Sequence, residues 1–151
     1  MTDPNVSNKP IEEGFTQATP DVYDLLNKVA TSFDRFNSIN PSHILIVFKN
    51  KGKSGQVATT RKIPEIIRPF LPGRHLILTL SQIEWSMMAE SKKIAVLFHE
   101  LMHLAFHTGK YVMLKHDVQD FREIVEKLGY GYEKADILTQ EIKSAEAKSE
   151  G

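Results

Sequence analysis

Between Glu90 and His107 the sequence reads "ESKKIAVLFHELMHLAFH", polar at its start and apolar on nearly every side thereafter. A helix that is apolar all round does not lie on a surface, so this stretch predicts a helix through the middle of a domain. Imidazole and carboxylate are costly to bury there unless something satisfies them. Yet His99, Glu100 and His103 all fall inside the run, and four of the chain's six histidines stand at 99, 103, 107 and 116.

His99 and His103 are four residues apart. On a helix of about 3.6 residues per turn they stand one above the other on one face. Two imidazoles so placed can reach one ion at about 2.0–2.1 Å each. Glu100 lies about 100° round the helix from His99, where it flanks the ion without having to bind it. This H-E-x-x-H spacing supplies two zinc ligands and one general base, the parts of metal-assisted peptide hydrolysis. Cysteine is absent, so the metal, one Zn2+ per chain, must be held by His, Asp or Glu.

A catalytic zinc uses three protein ligands and keeps one position open. His107 is poorly placed for the third: it lies roughly 12 Å along the helix axis from His99, and reads as a helix C-terminal residue meeting the last carbonyls. Thr108-Gly109 supply a stop signal, after which the chain can double back so that His116 opens the next helix, "HDVQDFREIVEKLG", facing the first. His116 is therefore the expected third ligand. Asp117 is the alternative, although its position suits a helix cap. Asp120 either holds a ligand imidazole from behind or is a solvated acid of the first turn. Tyr111, His75, Tyr130 and Tyr132 could each donate a hydrogen bond to a tetrahedral oxyanion, but ordinary packing is the favoured reading for all four.

The chain's 151 residues suit one domain. Residues 1–19, with prolines at 4 and 10, read as a flexible arm; 20–131 form the metal-site domain; 132–151 are a weaker helix fraying into a charged tail. A helix opens at Pro20 with Thr19 as its cap and Val22, Leu25, Leu26, Val29 and Phe33 as its apolar stripe. "HILIVFK" (43–49) is a short strand, with "VATTRKI" (57–63) as the returning strand of a hairpin. "HLILTL" (75–80) is a third strand, which could offer a free edge to an extended peptide. Ser81 can cap a short helix through "QIEWSMMA", with Trp85 packed inside.

Trp85, then "KKIAVLFHELMHL", then "LKHDVQDFREIVEKLG" together resemble the phage metallopeptidase family, small zincin-like domains, over roughly Asp21 to Gly129. In outline the layout is also similar to Spartan (SprT-like) zinc proteases. The resemblance implies an α+β fold, a small twisted sheet of three or four strands packed on the active-site helix with flanking helices. It implies His99, His103 and His116 as ligands and Glu100 as the base. The metzincin pattern is absent, since position 106 is Phe; Glu123 or Glu126 could stand for the glutamate ligand of thermolysin-type enzymes.

These readings converge on a zinc metallopeptidase acting on protein or peptide. A second reading is a zincin-shaped binding module whose zinc is structural; a third, from the Spartan likeness alone, is a protease of DNA-bound proteins. Lys plus Arg equals Asp plus Glu at 19 each, which gives no global attraction to nucleic acid or anionic membranes. With no signal pattern and no apolar run of membrane-spanning length, the expected compartment is the cytoplasm, the host cell's if the chain is phage-derived.

Overall fold

The computed structural model describes residues 14–50, 57–114 and 136–150. It is an α+β fold built on a four-stranded sheet. The strands are β1 (Phe15–Gln17), β2 (Ile44–Lys49), β3 (Ala58–Lys62) and β4 (Leu76–Ser81), in the spatial order β1-β2-β4-β3. β1 runs antiparallel to β2, β2 parallel to β4, and β3 antiparallel to β4.

The sheet differs from the sequence reading in three respects. The stretch read as an arm supplies β1, which pairs Phe15 with Lys49 and Gln17 with Val47. "VATTRKI" is not a hairpin partner of "HILIVFK": β3 crosses to the far side of β4. The reason is apolar periodicity, because β2 and β4 are the two strands with a complete buried stripe and they lie side by side in the centre. β4 is consequently bonded on both sides and offers no free edge.

The outer strands of the sheet are β1 and β3, and of these β3 lies against α3. Ile63 N–H donates to the His75 carbonyl and Ser81 N–H to the Val57 carbonyl, so the odd-numbered residues of β3 carry its bonds to β4. The peptide groups of Ala58, Thr60 and Lys62 point outward, away from β4, and bond to no other backbone among the described residues. Their side chains stand opposite Leu80, Leu78 and Leu76, on the same face of the sheet.

That face is the core face. Ile44, Ile46 and Phe48 of β2 and Leu76, Leu78 and Leu80 of β4 are all buried on it. Against it pack α1 (Pro20–Ser32), α3 (Glu90–Met102) and α4 (Asp136–Glu150). α1 starts at the expected proline, though Thr19 makes no side-chain capping bond. The short α2 (Gln82–Ser86) buries Trp85, and Lys93 lies over its ring at 5.4 Å. α3 buries Ile94, Ala95, Val96, Leu97, Phe98 and Leu101, as an all-round apolar helix should. Phe98 meets Phe33 and Phe36 edge-on at 5.0 and 5.2 Å, closing the end of α1 over α3. α4 is a full helix whose Leu138 and Ile142 are buried in the same core.

The largest departure is the length of the central helix. It stops at Met102, and Leu104–His107 (β5) and Lys110–Met113 (β6) form a separate antiparallel hairpin. Thr108 (φ 49°) and Gly109 (φ 79°) make its two-residue turn. Positive φ at both central residues matches the right-handed twist of the flanking strands, which is why such a pair joins strands rather than capping a helix. His107 is thus an exposed strand residue, not a helix terminus. The helix expected from His116 to Gly129 lies outside the described residues.

Candidate metal centre

His99 sits in the last turn of α3, Glu100 follows it, and His103 is the residue just after the helix, with φ −75° and ψ −6°. That near-helical geometry keeps the four-residue stacking intact although the helix itself has ended. The two imidazole rings are 5.1 Å apart between centroids, inclined at 56°. One ligand atom from each of His99, Glu100 and His103 lies within 4.8 Å of the other two. Among the described residues this is the group of His and acidic side chains able to hold a metal ion.

The hairpin serves the site directly. His103 Nδ1 donates to the Leu114 carbonyl at 2.8 Å, and Leu114 N–H returns a bond to the His103 carbonyl. An imidazole protonated at Nδ1 carries its lone pair on Nε2, the atom a metal needs. A backbone carbonyl in this position fixes both the tautomer and the ring's orientation. Leu114 lies just beyond β6, so folding the hairpin back onto the end of α3 is what delivers that carbonyl.

Glu100 is only 8 % exposed. Its Oε1 accepts a hydrogen bond from Thr60 Oγ1 at 2.8 Å. Burial pushes the carboxyl pKa up, while the Thr60 bond and the nearby His103 ring pull it back down. A carboxyl group so placed is a candidate to take a proton and hand it on. No spacing in the sequence points to Thr60, forty residues upstream of Glu100.

Two borderline imidazole nitrogens beside a hard carboxylate oxygen suit a divalent ion, zinc among them. The residues present therefore fit a metal. Of the other sequence candidates, Tyr111 is buried, with its hydroxyl accepting the Asn40 N–H at 3.1 Å and lying 2.8 Å from His43 Nδ1. Burial raises its pKa, and its bonds tie β6 to the turn before β2. His75 stacks on His43 at 4.4 Å, and burial, Arg68 and His43 lower its pKa. Both side chains are thus engaged with His43. His116, Asp117, Asp120, Glu123, Glu126, Tyr130 and Tyr132 lie outside the described residues. On the opposite face of the sheet, a groove of about 680 Å³ runs over Phe15, Val47, Thr59 and Ile77, and none of the metal-site residues lines it.

Fold and site together define a small α+β domain with a candidate metal centre at the end of its central helix. The profile of the family described as Putative phage metallopeptidase matches residues 14–146, and the chain belongs to that family. No curated protein and no solved structure gives a significant match, so the outline likeness to Spartan-type proteases stays an expectation. Among the described residues no helix is long and apolar enough to cross a membrane.

Proposed function

We propose that the protein is a zinc-dependent peptidase in which His99, His103 and His116 hold the ion and Glu100 is the general base. The observation that carries this reading is the buried Glu100 carboxyl beside two imidazoles, held by Thr60 at 2.8 Å. A purely structural metal site has no use for such a group, whose burial is costly. Zinc, when bound, supplies a Lewis acid that acidifies water and polarises a peptide carbonyl.

The chain's own residues do the rest. His103, oriented by the Leu114 carbonyl, presents Nε2 to the ion. Glu100 takes a proton from the attacking water and passes it to the leaving amine. The outward peptide groups of Ala58, Thr60 and Lys62 offer an extended peptide a strand to pair with, beside Glu100. Backbone pairing of this kind suits a protein or peptide substrate.

Purified protein is expected to carry about one zinc per chain and to cleave casein or fluorescence-quenched peptides, with cleavage lost to chelator and restored by zinc. Glu100→Gln should lower kcat by about 10²–10⁴-fold while retaining the metal. His116→Ala should weaken zinc binding far more than His107→Ala. Equal effects of these two would remove His116 from the ligand set. Zinc held at full occupancy without any cleavage would favour the binding-module reading.

A further inference from the structure

Thr60 joins two features that the proposed function treats separately. Its hydroxyl donates to Glu100 Oε1 at 2.8 Å, and its own peptide group lies in the middle of the free edge of β3. A strand residue facing a core would ordinarily be valine or isoleucine, because a hydroxyl there must be satisfied. Here the hydroxyl is satisfied by the one buried carboxyl at the site. Threonine is β-branched and has few χ1 choices, and Thr60 stands in close cross-strand contact with Leu78. The donor is therefore rigid, whereas glutamate has three rotatable side-chain bonds of its own.

We infer that Thr60 is the positioning residue of the base: it ties Glu100 to the strand edge that receives the substrate. The inference rests on reading Glu100 as the base and β3 as the docking edge. The bond engages one carboxylate oxygen and leaves the other to take the proton. A peptide paired along β3 bonds to the backbone of the residue whose side chain aims the base, so substrate register and base position share one reference. Misplacement of a catalytic group by about 1 Å costs on the order of 100-fold in rate.

The experiment compares Thr60→Val and Thr60→Ser in zinc-loaded protein on quenched extended peptides. Valine keeps the strand and its outward peptide groups but removes the donor. Thr60→Val is expected to lower kcat by about 10–100-fold with KM within about twofold, and Thr60→Ser to restore most of the loss. Zinc affinity, measured by competition with a chromophoric chelator, should match the wild type in both. A second readout needs no activity: melting of the metal-free single and double variants of Thr60→Val with Glu100→Ala. A non-additive shift of about 2–4 °C would register the contact. A zinc-loaded wild type that cleaves no peptide overturns the peptidase reading and this inference with it. A cleaving wild type equalled by Thr60→Val, equal losses in the valine and serine variants, or strict additivity in the melting cycle overturns the inference alone.

Discussion

Glu100 is an acid kept from water beside two histidines, and that placement has a consequence for stability as well as chemistry. Burial favours the neutral carboxyl, so the folded chain holds this proton to higher pH than the ordinary value of 4.5. Between the two values the folded state binds more protons than the unfolded one. Stability from this group is thus fully present below the unfolded value and is lost as pH rises through the folded one. Glu100→Gln removes the ionisation. The metal-free variant should melt above the metal-free wild type at neutral pH, with the advantage fading toward about pH 4. Calorimetry in chelator across that range checks this; a wild type that gains on the variant as pH rises would mean that Thr60 and His103 favour the charged carboxylate by more than burial disfavours it. Spacing along the chain revealed this residue, because neighbours on a helix are fixed by 3.6-residue geometry. Thr60, its donor, left no such trace.

At the scale of elements, the hairpin β5–β6 decides how the site is finished. Its turn contains Thr108 at φ 49°, a conformation that a β-branched residue enters with strain, whereas Asn tolerates it. Thr108→Asn is expected to stabilise the protein by about 1 kcal/mol, raising Tm by about 2–4 °C, and to leave metal affinity intact. A neutral or destabilising result would show that the Thr108 hydroxyl, bonded to the His107 carbonyl at 2.7 Å, outweighs the backbone strain. The sequence reads as one helix through to His107 because Leu104, Ala105 and Phe106 are apolar and short apolar runs fit either helix or strand. The same Thr-Gly pair reads as a helix stop or as a hairpin turn. What settles the choice is the pairing of Phe106 with Tyr111 and Leu104 with Met113, which a local window does not contain.

Across the whole molecule, α4 is tied to the shared core more firmly than its sequence alone indicates. The sequence reads this segment as a weaker helix running into a charged tail; the helix is present over Asp136–Glu150, and its Leu138 is fully buried and Ile142 nearly so, packed in the core that α1 and α3 share with the sheet. Leu138→Ala should therefore destabilise the protein by about 2–5 kcal/mol, read as a lower denaturant midpoint with little change in slope. A cost below about 0.5 kcal/mol, the level of surface changes, would detach α4 from the fold.

The sequence by itself determined what short-range geometry controls: helix α1 and its start at Pro20, strands β2 and β4, the buried character of α3, and the juxtaposition of His99, Glu100 and His103. Each follows from residue type and a period of two or 3.6 residues. Only the tertiary structure decided that β3 is an edge, that Thr60 holds Glu100, and that the Leu114 carbonyl orients His103. These depend on which strands pair and where a hairpin folds back. Such contacts are selected by burial and hydrogen-bond satisfaction summed over the whole core, and no local stretch of chain carries that sum.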